Sequence, residues 1–299
     1  MKTKTHRNTN NKAVTGKSYL DQVRSGGSGL PSRVIMHAPE KTGKSSFAAY
    51  APNPVYVMPA DETGVWTLSD SGQIPEVPCF PLVREWDQLL TILEELREGK
   101  HDFRTLVIDT INGMERVCHE HVCRNEYGGE WSKQGFLSYM QGYEVSLSYW
   151  RKFLSSLDRL REERGMAILS LCHSHIRPFK NPEGPDYDRY APALHEKTWN
   201  VTHRWADVIL FANYHVSLDD SGTRTKAHGG TERIIYTERS AAFDAGNRLG
   251  LPPQISMGQS GEEAWANFAT AVKDSKKKGT KYCQEMENIY TIRASTEER

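Results

Sequence analysis

Apolar positions along the chain follow two rhythms. Val34-Ile35-Met36, Val55-Tyr56-Val57-Met58, Thr105-Leu106-Val107-Ile108, Met166 to Cys172 and Val208 to Ala212 are short unbroken runs. Runs of this kind, rich in β-branched residues, read as strands covered on both faces. Between them the spacing changes to that of a helix. Trp86, Leu89, Leu90, Leu93 and Leu96 return every three or four residues up to Gly99, and residues 111–125 and 141–164 read as helices. The second of these carries Tyr149, Trp150, Phe153, Leu154, Leu157 and Leu160. Toward the end, 208–215 and 232–238 flank a glycine-rich turn and read as an antiparallel pair. Residues 262–272 follow as an amphipathic helix with Trp265, Phe268 and Val272 on its apolar face. The pattern predicts an α/β chain: a mostly parallel central sheet flanked by helices, with antiparallel strands toward the C-terminal end.

The strand at Val34 runs into Ala38-Pro39-Glu40-Lys41-Thr42-Gly43-Lys44-Ser45-Ser46 and a helix through Ala49. This is the phosphate-loop pattern G-x-x-x-x-G-K-[ST], with Ala38 where the first glycine usually sits. Backbone N–H groups must wrap a phosphate there, which requires a small first residue and glycine at the close approach. Alanine fills the first position as long as φ stays negative. Lys44 is then the residue that reaches the phosphates, and Ser45 the ligand of Mg²⁺. A second signature is Asp109, which closes an apolar strand and suits a carboxylate that holds the metal. Asp61-Glu62 follows the strand at Val55, and His173 closes the strand at Met166. Each is either a functional group at the sheet edge or a solvated strand end, and both readings stand at this point.

Composition narrows the partners. Lysine plus arginine and aspartate plus glutamate are equal at 38 each, so no bulk basic field points to nucleic acid and any such site must be a local patch. The segment after His175 interleaves Arg177, Phe179, Lys180, Tyr187, Arg189 and Tyr190, a mixture suited to single strands, though Glu183, Asp186 and Asp188 lie among them. Mean hydropathy is −0.64. No apolar run approaches the roughly 18 residues of a membrane span, and no leader is evident, so no membrane partner and a cytoplasmic location are expected (the host cytoplasm if the protein is viral). The cysteines are odd in number and scattered, as reduced thiols are. Cys118-His119-Glu120-His121-Val122-Cys123 suggests zinc at first sight, but a helix cannot aim those side chains at one point. Residues 1–30 read as a flexible basic arm closed by Gly26-Gly27-Ser28-Gly29, residues 31–256 as the folded domain, and 257–299 as a C-terminal helix and mobile tail.

On Ala38–Ser46, Asp61-Glu62, Thr105–Thr110, Leu171–His175, Trp205–Phe211 and Asp244–Pro253, the chain resembles the phage RecA-like ATP-binding proteins, a group that includes single-strand annealing ATPases. AAA+ enzymes usually place glutamate after the strand-end aspartate, whereas Thr110 stands here. The resemblance implies a RecA-like P-loop NTPase core with ATP and Mg²⁺ as cofactors. It makes residues 38–46 the nucleotide loop, Ser45 and Asp109 the metal ligands, Glu62 the water-orienting carboxylate and His173 a γ-phosphate sensor. Arg248, and after it Arg239, is placed to reach a neighbour's ATP, although Gly246 replaces the lysine of the related K-N-R-[FY]-G element. The implied partners are single-stranded DNA, further copies of the chain in a ring or filament, and a single-strand DNA-binding protein. The implied role is ATP hydrolysis coupled to DNA handling in phage recombination or replication. A nucleotide or small-molecule kinase, and a nucleotide-gated loading factor with negligible turnover, remain as alternatives.

Overall fold

The structure is a computed structural model that describes residues 18–20, 23, 27–219 and 226–278. Met1–Leu30 forms one unit and Pro31–Arg299 another. Most of the basic arm expected over 1–30 lies outside the described residues, as does the tail from 279 onward.

The folded unit alternates strand and helix. In chain order β1 (Arg33–Ala38), α1 (Lys44–Ala48), β2 (Pro54–Val57), α2 (Gly64–Asp70), α3 (Trp86–Glu98), β3 (Thr105–Asp109) and α4 (Ile111–Tyr127) come first. They are followed by α5 (Gln141–Arg164), β4 (Ala167–Phe179), β5 (Tyr187–Pro192), α6 (Glu196–Trp205), β6 (Val208–Asp219) and β7 (Lys226–Tyr236). The two short strands β8 (Gly246–Asn247) and β9 (Gln254–Ser256) precede α7 over residues 261–278. The sheet runs β2-β3-β4-β1-β6-β7-β9, with β5 paired to β4 and β8 to β6. β2, β3, β4, β1 and β6 are mutually parallel. Pairing is antiparallel for β6–β7, β7–β9, β4–β5 and β6–β8. This is the expected α/β sheet of a P-loop NTPase, mostly parallel with its antiparallel strands on the C-terminal side. β4 lies between the loop-bearing strand β1 and the aspartate-bearing strand β3.

The unbroken apolar runs are explained by cover on both faces. Side chains alternate across a strand. Ile35, Leu106, Ile108, Ile168 and Ile209 therefore face a core built with Trp86, Leu89, Trp150, Phe153 and Leu157 of α3 and α5. Met36, Val107, Leu169, Leu171 and Leu210 face a second core with Phe47 of α1 and Ala264 and Phe268 of α7. Full burial of each large side chain stabilises the fold by roughly 1.5–3 kcal/mol.

Three segments differ from the sequence expectation. The stretch after Glu62 reads as a proline- and glycine-rich loop up to Pro81, but it contains α2, seven residues long and too short to show a period. The run from Trp205 reads as opening a strand, but Trp205 is the last residue of α6, which is capped at its other end by the His195 ring accepting from Lys197 N–H. After the extended Ala206 the strand starts only at Val208. The polar segment after His175 is a β-hairpin: β4 continues to Phe179 and pairs with β5 from Ser174↔Pro192 to Phe179↔Tyr187. Among the described residues no helix is long and apolar enough to cross a membrane.

Candidate functional site

The parallel strands end together, and their register brings the candidate residues to one edge of the sheet. Ala38 pairs with His173, and Asp109 with Leu171 two residues earlier on β4. From Ala38, which keeps a negative φ, the chain passes through Pro39, the exposed Glu40 and Lys41, and Thr42. The Thr42 hydroxyl donates to Pro39 O at 2.8 Å and closes the turn. Gly43 then adopts φ 104°, which an L side chain rarely takes, and α1 begins. Lys44 folds back under the loop, donating from Nζ to Ala38 O at 3.1 Å and Pro39 O at 3.0 Å. It is buried, and burial holds its pKa below the usual lysine value, although Asp109 and Glu62 oppose the shift.

Ser45 Oγ donates to Asp109 Oδ2 at 2.6 Å. Burial pushes the Asp109 carboxyl up to about 6, against the opposing pull of the Ser45 hydrogen bond and the Lys44 charge. A hydroxyl and a carboxylate side by side, with open space before them, form a donor set that fits Mg²⁺. That ion takes few protein ligands and completes its octahedron with phosphate oxygens and water.

The two adjacent carboxylates part ways. Asp61 is exposed and pairs with Arg116 of α4 at 2.6 Å. Glu62 turns inward: its Oε1 lies 2.9 Å from His173 Nε2 and accepts from Thr110 Oγ1 at 3.2 Å. The His173 bond holds Glu62 below the usual carboxylate range. His173 Nδ1 stands 3.5 Å from Lys44 Nζ, which can only donate. The partners thus assign the ring proton to Nε2, donated to Glu62. Asn112 Oδ1 accepts from His173 N–H at 3.0 Å and fixes the strand end.

These groups line an open cleft of about 510 Å³. Lys41, Gly43, Lys44, Ser45, Ser46, Glu62, Asp109 and His173 all reach it. Among the wall residues that escaped sequence reasoning are Thr67, Leu68 and Gln73, from α2 and the turn after it, and Arg233 of β7. Arg233 carries no local signal, since it is one strand cation among many until the sheet order places it beside the loop.

Arg248 is not brought to this cleft within the chain. It lies at the opposite edge of the sheet, before the start of β6. There its guanidinium donates to Ala206 O at 2.9 Å and Arg204 O at 3.3 Å and approaches Asp207 at 3.5 Å. Arg239 stands over the Phe179 ring at 5.8 Å. On the hairpin, part of the expected free surface is turned onto the protein. Arg177 donates to Leu194 O at 3.2 Å, Arg189 covers Phe179 at 4.3 Å, Phe179 packs on Tyr187, and Tyr190 stacks on Phe211 at 5.2 Å. Lys180 remains exposed. On α4, Cys118 and Cys123 are buried, while His119 and His121 make ring contacts with Tyr143 and Tyr149. Among the described residues, no group of three or more His, Cys, Asp or Glu is arranged to hold a metal.

The cleft brings the loop of residues 38–46, the Ser45–Asp109 pair and the inward Glu62 together on adjacent strand ends, a donor set that fits a phosphate chain. A search of the curated proteins finds no match. A family model described as AAA domain matches residues 30–249 of the 299. With the phosphate loop at the turn from β1 into α1 and Asp109 two strands away, the chain belongs to the AAA domain family of P-loop NTPases.

Proposed function

We propose that the protein is a RecA-like ATPase that hydrolyses ATP with Mg²⁺ and couples the turnover to single-stranded DNA, in phage recombination or replication. One observation carries the enzymatic part. Glu62 is bound to His173 at 2.9 Å and lies in the same cleft as Lys44 and the Ser45–Asp109 pair. In this reading Ala38 to Ser46 wrap the phosphates, Lys44 holds the terminal ones, and Ser45 and Asp109 hold Mg²⁺, which would neutralise charge on the phosphate oxygens. Glu62 orients the attacking water and takes its proton as the bond to the leaving diphosphate breaks. Holding Glu62 as the carboxylate, as the His173 bond does, keeps it ready to accept.

The DNA part is supported by continuity. β4 carries His173 into the hairpin 174–192, so a displacement at the phosphate end of the strand travels along one backbone. Ser174 Oγ lies 2.8 Å from His37 Nδ1, and His37 Nε2 donates to Asp244 O at 2.6 Å, tying the hairpin base to the strand of the phosphate loop. Beside the hairpin, Tyr190, Phe211, Tyr236 and Phe243 form a ring cluster bordering an open pocket of about 410 Å³, a surface on which bases could stack. Further copies of the chain would raise a modest affinity by multivalency, and a single-strand DNA-binding protein completes the proposed set of partners.

Phosphate release measured with and without single-stranded DNA, alongside Lys44→Ala, tests the reading. DNA-stimulated release in the parent and none in Lys44→Ala is expected. Transfer to a small acceptor would assign a kinase, and nucleotide binding without turnover would assign a loading factor.

A further inference from the structure

Arg233 reaches the cleft from the flank opposite the acidic groups. In the sheet order β3-β4-β1-β6-β7, Asp109 and His173 lie on one side of the loop strand β1, and β7 lies on the other. The half-buried guanidinium extends over the phosphate loop. Nη1 donates to Thr42 O at 3.3 Å and Nη2 to Gly258 O at 3.4 Å. Both bonds are longer than the usual ~2.7–3.2 Å for N–H···O. Both acceptors are neutral carbonyls, and a guanidinium has further N–H donors in the same plane. Nη1 also stands so near the loop that a Cβ on Gly43 would lie 2.7 Å from it.

The charges of the cleft are unevenly placed. Lys44 shares its flank with Asp109 and Glu62, which offset it. Among the described residues Arg233 has neutral carbonyl acceptors and no ion pair, so on its own flank the cation is not offset by a contacting acid. A half-buried guanidinium held by two long carbonyl bonds above a phosphate loop suits an incoming anion better than it suits those carbonyls, because charge-assisted bonds to phosphate are shorter and stronger.

We propose that Arg233 is a nucleotide-binding residue acting within its own chain. On binding it leaves Thr42 O and Gly258 O for the α-phosphate and ribose end of the nucleoside polyphosphate. The terminal phosphates belong to the flank of Lys44, His173 and Glu62, and an extended polyphosphate that begins there presents its other end to β7. The inference rests on the cleft binding a nucleoside triphosphate, as proposed above.

The test is calorimetric binding of ATP, ADP and adenosine to the full chain and to Arg233→Ala, Arg233→Gln, Arg233→Lys and Lys44→Ala. The melting temperature of each variant is taken without nucleotide. Arg233→Gln keeps amide donors for the two carbonyls and removes the charge, so the fold is preserved even if Arg233→Ala is not. ATP and ADP should weaken together in Arg233→Gln, by about 10- to 100-fold, the value of a hydrogen bond to a charged group. Arg233→Lys should recover part of that loss. ATP and ADP affinities equal to the parent's in Arg233→Gln would make the residue a mere prop for the loop and overturn the proposal. Weakened ATP with unchanged ADP would place the contact on the terminal phosphate and overturn it equally. If Lys44→Ala also binds both nucleotides like the parent, the nucleotide reading of the cleft has itself failed. Loss in Lys44→Ala with retention in Arg233→Gln sinks only the role of Arg233.

Discussion

Glu62→Gln separates binding from chemistry. In the fold, Glu62 Oε1 accepts from Thr110 Oγ1 and from His173 Nε2. A glutamine carbonyl oxygen accepts the same two bonds, so only the charge part of the His173 contact is lost. That part belongs to a partly exposed pair and should change stability by no more than about 1 kcal/mol. The amide cannot take a proton from water. Loss of a positioned base slows proton transfer by about 100- to 10,000-fold, or roughly 3–5 kcal/mol of barrier. Nucleotide affinity should stay close to the parent's, because the missing interaction forms only in the transition state. Single-turnover phosphate release beside calorimetric nucleotide binding reads both quantities. Asp61→Asn makes the same change of charge on the neighbouring residue, at an exposed pair with Arg116, and should leave turnover intact. Full turnover in Glu62→Gln together with loss in Asp61→Asn would refute the assignment of the base.

Three other outcomes follow from the same contacts. Gly43→Ala puts a side chain at φ 104° and 2.7 Å from Arg233 Nη1, so it should destabilise the chain by about 1–3 kcal/mol in thermal melts and weaken nucleotide binding. Glu115 of α4 is buried with both carboxylate oxygens 3.0 Å from His195 N–H, and burial pushes its carboxyl up to about 7 from 4.5. A folded-state pKa above the unfolded value means the folded chain binds the extra proton, so stability falls as pH rises from about 4.5 through 7, by an amount on the order of 3 kcal/mol. Urea melts across that range should show the decline in the parent and a flatter profile in Glu115→Gln. An equal decline in both would remove Glu115 as its source. The combined Arg177→Ala, Phe179→Ala, Lys180→Ala variant should bind single strands much more weakly at matched salt while hydrolysing ATP at the unstimulated rate. Parental DNA binding would leave the hairpin a structural element and point to the basic arm at residues 2–24.

What could be read from the sequence was whatever one continuous stretch specifies. The phosphate loop is a local object: strand, turn and helix follow one another, and the residue types at Gly43, Lys44 and Ser45 answer to backbone conformation and phosphate charge alone. Asp109 was legible for the same reason, as a carboxylate where an apolar run stops, and the α/β class followed from runs that require cover on both faces. From their own stretches Glu62 and His173 were legible only as polar strand ends, and their roles came from the family resemblance. Their pairing depends on a register in which β4 lies between β1 and β3, and a parallel sheet assembles its strands in an order that the chain order does not state. The resemblance singled out Glu62 over Asp61, but the physical distinction is tertiary, because adjacent residues leave a strand end in different directions and only Glu62 meets His173 while Asp61 pairs with Arg116. Arg233 and Arg248 show the limit most clearly. Both are ordinary basic residues near strands of the same sheet, yet the antiparallel course of β7 delivers the first to the loop, while the β8 pairing leaves the second at the far edge. Side-chain chemistry follows from residue type, but position across a sheet is decided by long-range pairing, and long-range pairing has no signature in any single stretch.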